Sequence, residues 1–457
     1  MRRKISSYFS IIPILTLLLV FWATPACNTS PTGATDSNYE VARNIALSWN
    51  KLMLELERHT DGYRPPVSAR TFAYISMAAY EASVPGMEGY VSLQKQFPEF
   101  KAPAFPADIQ SYHLPTALNR TYSGILRRFF RSAPPALLHQ IDQLETELAC
   151  LSDKHQNAAD LNASNAFAEA IVEAVWRYSM SDGMGHDGFL YNFDKNYTNP
   201  DCAGCWQPSP EHHMPALLPH WGGVRTFIMK PSDFVVTAPP AFSESPQSPF
   251  YTEAMEVFTA SQSMSKKDAW IAEFWSDDLP GLTVTPAGRW ISIANQNVEH
   301  SNLAFPEVMA VYLKLSVSLC DAGIICWDAK YKYSIERPET YIRRLIDPNW
   351  RPLHETPNFP AYPSGHSAFG GAATEVLAAY FGQKNNITDR THQGRIEFAG
   401  HPRTFGSFQE MGQENAYSRL LIGVHYRMDC VEGMRLGRAV AQQVIRMPLR
   451  GGTVSER

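Results

Sequence analysis

Three segments in the C-terminal half of the sequence carry side chains that suit a small, multiply charged oxyanion. They combine cationic, hydroxyl and imidazole groups: Lys330 with Arg337, then Pro363-Ser364-Gly365-His366, then Ser418-Arg419 with His425 and Asp429. An arginine fork donates two parallel hydrogen bonds to neighbouring oxygens, and a lysine adds a point charge. We therefore predict that the three segments form one site with three cations, one hydroxyl and two imidazoles.

Each segment by itself also fits an ordinary structural role. A lysine and an arginine seven residues apart often lie on a solvated helix face, and a Pro-Ser-Gly-His stretch can be a plain turn. Because all three segments occur in this order within about a hundred residues, we favour a shared functional site.

The spacing also assigns chemical roles to the imidazoles. His425 and Asp429 are four residues apart, so on a helix the carboxylate could accept a hydrogen bond from one ring nitrogen. The other nitrogen would then be free to attack phosphorus or to coordinate a metal centre. His366 is the natural proton donor and acceptor. A helix that begins near Ser367 would add its free N–H groups to the anion site.

The elements that must position these residues are predominantly helical. Apolar residues recur at helical spacing in nine stretches, which are residues 39–59, 68–83, 114–131, 135–151, 158–181, 266–275, 290–318, 367–381 and 415–447. Alternating strand patterns are scarce. We predict an all-α fold of two helical bundles with long loops: an N-terminal lobe over 39–190, an irregular Pro- and aromatic-rich connection over 191–260, and a catalytic lobe over 265–448.

The N-terminus predicts export. Met1 to Lys4 carry three positive charges, an apolar run follows, and small residues precede Cys27, so residues 1–27 resemble a signal peptide. Cys27 is also placed like a bacterial lipoprotein attachment site, and lipidation stays open. We expect a periplasmic, outer-membrane-anchored or secreted protein, with no later segment apolar enough to span a membrane. The net charge of −5 argues against a nucleic-acid partner.

Cysteines offer one weak metal motif. Cys202 and Cys205, with His212 and His213 nearby, could be interpreted as a zinc site, but one CxxC without a second pair is weak evidence. A local disulfide or free thiols is the favoured interpretation.

The three segments resemble a known superfamily signature. K-x6-R-P, P-S-G-H and S-R-x5-H-x3-D are similar to the motifs shared by type 2 phosphatidic acid phosphatases, bacterial acid phosphatases and vanadium haloperoxidases. The flanking residues Asp321 to Ile324, Trp327, Phe359 to Ala372 and Glu414 to His425 resemble the haloperoxidase branch. This resemblance extends from about residue 275 to 437.

The resemblance implies a vanadate cofactor and a role for each matched residue. It implies that vanadate oxygens are held by Lys330, Arg337, Ser364, Gly365 and Arg419. It implies further that His425 bonds the metal, supported by Asp429, that His366 handles protons, and that Trp327 and Phe359 line the halide pocket. Asp278 resembles an aspartate that orients the cations, with a plain surface carboxylate as the alternative.

The implied reaction is oxidation of a halide by hydrogen peroxide to hypohalous acid, without haem. Asp328 and Glu336 replace a lysine and an aromatic residue of the fungal pattern, and both add negative charge. We therefore expect a preference for iodide or bromide over chloride.

Two other functions stay open. One is an exported phosphomonoesterase in which His425 is phosphorylated and His366 protonates the leaving alcohol. The other is a surface lipoprotein that binds partners through its aromatic loops. The sequence does not specify an oligomeric state.

Overall fold

The predicted all-α fold is confirmed in a computed structural model of the chain. The described residues are 34–105, 112–152, 156–209, 213–277, 279, 281–383, 386–395 and 400–451. The predicted signal segment 1–27 with Cys27, and also His212 and Asp278, lie outside these ranges.

Helices account for most of the described chain. They are α1 (Ala34–His59), α2 (Pro65–Ser83), α3 (Leu114–Phe129), α4 (Pro135–Ser152), α5 (Ala158–Met180), α6 (Gly183–His186), α7 (Pro249–Gln262), α8 (Lys266–Phe274), α9 (Pro286–Glu299), α10 (Phe305–Tyr333), α11 (Pro338–Leu345), α12 (Gly365–Phe381), α13 (Phe408–Ile422) and α14 (Arg427–Ile445). Strands β1 (Ile387–Asp389) and β2 (Arg403–Phe405) form an antiparallel pair with Thr388 opposite Thr404.

The helices pack as two bundles that share one core. Helices α1 to α5 pack against one another, and α9, α10, α12, α13 and α14 form the second group. Helix α10 also packs along α2, where the hydroxyls of Ser76 and Ser316 lie 2.9 Å apart. Most buried apolar residues of both groups belong to one continuous cluster. The catalytic segments therefore rest on a core to which the N-terminal helices contribute.

Helix α10 is the central element of the second bundle. Its mean hydropathy over 18 residues reaches 1.7, and the whole of that window is buried inside the protein. We expected no later segment to be apolar enough to span a membrane, and this was wrong, because α10 is long and apolar enough by length and composition alone. The apolar length of α10 is explained by burial on all sides, as in the core helix of a large bundle.

Several predicted boundaries differ from the structure. The stretches 290–318 and 415–447 are each two helices. The second break is at Gly423, whose φ of 89° lies in the left-handed region that ends helices. The predicted irregular connection over 191–260 contains the start and most of α7. Helix α11 was also missed, because eight residues are too few for a clear helical period.

The connection between the bundles is fixed by a buried carboxylate on α10. Asp321 accepts hydrogen bonds from the backbone N–H groups of Phe227, Ile228 and Met229 at 2.8, 2.7 and 3.0 Å. Burial raises the pKa of Asp321 to about 6, while these three N–H groups act to lower it. Asp321 therefore anchors the long connection against the catalytic bundle.

Close approach of α12 and α14 depends on glycines. A Cβ on Gly437 would meet the backbone of Ala368 and Ala372, and a Cβ on Gly433 would meet the carbonyl oxygen of Ser364. Because backbone atoms in packed helices cannot move cheaply, these positions require glycine. The contact holds the first turn of α12 against α14.

Gly437→Ala should destabilise the protein by about 1–3 kcal/mol, because overpacking of the α12–α14 contact outweighs the gain in helix propensity. Urea unfolding measures this difference. Gly183→Ala is the matched control, since a Cβ on Gly183 meets nothing within 4 Å, and it should leave stability unchanged or slightly raised. Equal stability of both variants would contradict the packing argument.

Candidate active site

Helix α10 and the turn after it supply the first two cations. Trp327 and Lys330 lie three residues apart and therefore share one face of α10. The helix ends at Ser334, which has a left-handed backbone with φ 47°. The chain then reverses, and Arg337 becomes the residue that precedes α11.

The Lys330 ammonium is fully buried and bonds only to backbone. It donates to the carbonyl oxygens of Pro360, Ala361 and Pro363 at 2.9, 3.0 and 2.6 Å. Burial lowers the pKa of Lys330, but three acceptors require three N–H groups and so favour the charged form. These bonds hold the loop before α12 against α10.

The first turn of α12 carries the predicted hydroxyl. Ser364 caps the helix, and its side chain accepts from the Ser367 N–H at 3.4 Å and the Ser367 hydroxyl at 3.0 Å. The Ser364 N–H donates to the carbonyl of Asp429 at 2.9 Å, which ties α12 to α14. The free N–H groups of a helix N-terminus and its dipole favour an anion at this end.

His425 and Asp429 form a hydrogen-bonded pair across the start of α14. His425 Nδ1 lies 2.9 Å from Asp429 Oδ2, which also accepts the Tyr426 N–H at 3.0 Å. The predicted hydrogen bond between the two side chains is present, although His425 precedes α14, which begins at Arg427, so the pair does not share one helix. Asp429 is thus both a helix cap and the partner of the imidazole.

The other nitrogen of each imidazole faces an arginine. Arg337 Nη1 lies 3.2 Å from His425 Nε2, and Arg419 Nη1 lies 3.1 Å from His366 Nε2. Arginine can only donate, so each Nε2 must accept and each ring is neutral. Burial, and then Arg337 for His425 and Arg419 for His366, lower the pKa of both rings well below 6.5.

A cavity of about 100 Å³ joins these groups. Gly365, His366, Arg419 and His425 line it. Lys330, Arg337 and Ser364 do not line it but each contacts or adjoins a lining residue. Nη2 of Arg337 is buried without a hydrogen-bond partner among the described residues. A buried guanidinium N–H without an acceptor is costly, and a tetrahedral oxyanion would supply one.

Aromatic rings form one wall of the cavity. The rings of Trp327 and Phe359 lie 5.0 Å apart between centroids, and both line the cavity. Lys330 Nζ lies 5.0 Å from the Phe359 ring centre and Arg337 Cζ lies 4.8 Å from it. This wall is apolar towards the cavity while cations lie against its rings.

A buried carboxylate beside the site is Asp277, the neighbour of the predicted Asp278, which lies outside the described residues. Asp277 Oδ1 accepts from Arg289 Nη1 at 2.9 Å and from His392 Nε2 at 3.0 Å, and Asp277 lines the cavity. Burial would raise the pKa of Asp277, but Arg289 and His392 lower it to about 2. Arg289 also binds Asp389 at 2.7 Å. Neither Asp277 nor Arg289 belongs to a recognisable sequence motif, so sequence reasoning missed both.

Comparisons with known proteins agree with this geometry. A family model described as VCPO second helical-bundle domain matches residues 310–349 and 345–450. Over 87% of its length the chain is 23% identical to a vanadium chloroperoxidase of Curvularia inaequalis and covers 81% of it. A crystal structure of a bacterial vanadium-dependent iodoperoxidase is 28% identical with a TM-score of 0.78, over 92% of this chain and 99% of that one. The matched domain and these relatives together support a vanadium haloperoxidase.

Another relative shows the breadth of the shared fold. A bacterial vanadium-dependent chloroperoxidase is 17% identical with a TM-score of 0.66, over 85% of this chain and 92% of its own, so the two share the helical fold. The resemblance predicted from the three motifs is confirmed by the family model, the curated relative and the iodoperoxidase structure together.

The two acidic substitutions predicted to affect the site differ in their surroundings. Glu336 is buried and accepts two hydrogen bonds from Arg344, at 3.0 and 2.8 Å, so its charge is neutralised. Asp328 is half-buried, and burial raises its pKa. Neither side chain lines the cavity. The negative charge that Glu336 was predicted to add near the site is therefore paired with Arg344, which lies eight residues later and belongs to no recognisable motif.

Cys202 and Cys205 form a disulfide, as favoured over the zinc interpretation. Within the described ranges, no group of three or more His, Cys, Asp or Glu side chains could hold a metal ion.

His392→Gln should change the pH dependence of stability. Burial and then Arg289 lower the pKa of His392, so the folded ring resists protonation. As pH falls below 6.5 the unfolded chain binds this proton more readily than the folded protein, and the wild type loses stability. The variant lacks this contribution, and the wild-type-minus-variant difference should fall by up to about 1.4 kcal/mol per pH unit. Urea unfolding at about pH 7.5 and 5.5 measures it.

The control for this prediction is His139→Gln, on the exposed surface of α4. Its difference from the wild type should be the same at both pH values. A His392→Gln difference that is equally flat would contradict the assignment of a buried neutral ring.

Proposed function

We propose that this chain is a vanadate-dependent haloperoxidase that oxidises iodide or bromide with hydrogen peroxide to hypohalous acid. The proposal rests on two contacts: Arg337 Nη1 lies 3.2 Å from His425 Nε2, which an arginine donor keeps unprotonated, and Arg337 Nη2 is buried without an acceptor among the described residues. A metal oxyanion would supply what each of these two side chains lacks: a Lewis acid for the His425 imidazole and acceptor oxygens for the Arg337 guanidinium.

The donor set fits vanadate. Arg337, Arg419, Lys330, Ser364 and the amide of Gly365 would hold its oxygens, and His425 Nε2 would bond the metal. Bound vanadate supplies Lewis acidity that activates hydrogen peroxide without a redox change at the metal.

The chain's own residues would manage protons and water. His366 Nε2 accepts from Arg419 in this structure, and once Arg419 donates to a vanadate oxygen instead, this nitrogen would take a proton from hydrogen peroxide and later return it to departing water. Its lowered pKa keeps it unprotonated at neutral pH. Arg419 fixes the ring in this orientation, since its Nη2 is held by the Trp275 carbonyl and its Nε by the Ser418 hydroxyl at 3.1 Å.

The walls of the cavity support a large, weakly hydrated halide. Trp327, Phe359, Phe369 and Ile422 present apolar surface, and a halide must lose water to lie against them. Iodide loses its water most easily and chloride least. The relative named an iodoperoxidase, which the chain covers almost completely, supports the same preference. We expect kcat/KM to rank iodide above bromide and bromide above chloride.

The decisive assay adds orthovanadate to enzyme stripped of metal and follows iodide oxidation beside hydrolysis of nitrophenyl phosphate. We expect vanadate to switch on peroxide-dependent triiodide formation. Phosphate ester hydrolysis that needs no vanadate and is inhibited by it would instead support the phosphomonoesterase. Chloride oxidation as fast as iodide oxidation would contradict the halide preference alone.

Asp429→Asn should weaken vanadate binding by roughly 10- to 100-fold while the fold is retained. An amide oxygen can still accept both N–H groups, but the negative charge that makes His425 Nε2 a better ligand is lost. Equilibrium dialysis with elemental analysis gives the affinity. Asp268→Asn, at the third position of α8, is the matched control, because Asp268 caps a helix but touches no histidine. Equal affinities in both variants would contradict the role of Asp429.

We also propose export, from the signal-like residues 1–27, with lipid attachment at Cys27 as the open alternative to simple cleavage. The Cys202–Cys205 disulfide supports an oxidising compartment. The mass of the mature protein tests this: a chain that retains residue 1 would contradict export by this route.

A further inference from the structure

A second cavity adjoins the halide cavity. It has a volume of about 380 Å³. Both cavities are lined by Leu279, His354, Glu355, Pro357 and Phe359. The small cavity and the larger one therefore share part of their walls. The mechanism proposed above does not use this second cavity.

The walls of the second cavity are apolar and partly exposed. Phe193 is 38% exposed and Met214 is 45% exposed, although both are large hydrophobic side chains. Phe359 adds an aromatic ring from the shared wall. Exposed apolar side chains that gather in one concave site are typical of a binding pocket for a small organic molecule.

Backbone hydrogen bonds hold this wall in place. Phe193 pairs with Leu217 as an isolated β-bridge, and the Leu217 N–H donates to the Asn358 carbonyl at 2.9 Å. The Leu217 carbonyl accepts from Trp327 Nε1 at 3.3 Å and from the Tyr331 hydroxyl at 2.6 Å. The second cavity is therefore built onto the same residues that form the halide wall, and it exists before any ligand binds.

The side chain of one cation in the second cavity has no partner among the described residues. Arg64 lines the cavity and is half-buried, and its guanidinium makes no hydrogen bond or ion pair within the described ranges, although its backbone bonds to Gly62 and Ser68. Glu355 adds an exposed carboxylate on the shared wall. A planar guanidinium without a partner suits a carboxylate on a ligand, because it can donate two parallel hydrogen bonds.

We propose that the second cavity binds a phenolic carboxylate and presents its ring to hypohalous acid as the acid leaves the halide cavity. The inference rests on the proposed function. In the reaction, the ring's π electrons form a carbon–halogen bond and the halogen–oxygen bond breaks. The departing hydroxide takes the ring proton to form water. Hypohalous acid is the oxidant, so the products are the halogenated phenol and water.

The test compares two acceptors that differ only in charge, 4-hydroxybenzoate and 4-hydroxybenzamide, in vanadate-loaded enzyme with iodide and hydrogen peroxide. The variants are Arg64→Gln, Arg64→Lys and Phe193→Ala, with Arg177→Gln as a control on the exposed face of α5. Each iodination rate is divided by that variant's own triiodide rate measured without acceptor. Thermal unfolding checks that every variant is folded.

We expect saturable iodination with a lower KM for the benzoate than for the benzamide. Arg64→Gln should raise the KM for the benzoate about tenfold and change that for the benzamide less than twofold, while Arg64→Lys keeps the preference. Phe193→Ala should raise both, and Arg177→Gln neither. If Arg64→Gln unfolds, the wild type still decides the question: saturable iodination with a lower KM for the benzoate than for the benzamide supports the inference.

Iodination that rises linearly with acceptor in the wild type, with the same relative rates as free hypoiodous acid, would overturn the inference. So would an equal change in KM for both acceptors in Arg64→Gln. Absence of triiodide from wild-type enzyme without acceptor would instead refute the proposed function.

Discussion

The site depends on burying cations whose acceptors come from the backbone instead of from carboxylates. The ammonium of Lys330 is completely buried and uses all three N–H groups on carbonyls of the loop that precedes α12. These bonds satisfy the donors but leave the positive charge uncompensated. With Arg337 and Arg419 close by, the result is a region that attracts an anion while remaining tightly packed.

The same cations keep both imidazoles in one protonation state. Because Arg337 and Arg419 donate to the Nε2 atoms of His425 and His366, a proton on either atom would meet another donor. Asp429 fixes the opposite nitrogen of His425 and also caps α14. Asp429, in the first turn of α14, thus both caps that helix and fixes the tautomer of His425. The two arginines supply orientation as well as charge.

Sequence patterns were sufficient to predict the motifs and the helical fold class. They were insufficient to predict features that depend on contacts between distant segments. The three motifs predicted the family, and helical periodicity predicted most of the long helices. Periodicity failed at α11, which is short, and at the break near Gly423, where a left-handed residue interrupts an apolar run. Asp277 could not be distinguished from its neighbour, because its role depends on Arg289 and His392 from distant segments. The neutralised charge of Glu336 was hidden for the same reason.

The most direct test of this account is the nitrogen-15 NMR spectrum of the histidines in the protein without vanadate, between about pH 5.5 and 8. We expect Nε2 of His425 and of His366 to resonate as unprotonated imine nitrogens throughout this range, with Nδ1 of His425 protonated. An imidazolium signal for either ring at neutral pH, or the opposite tautomer of His425, would contradict the arrangement on which anion capture and metal ligation both depend.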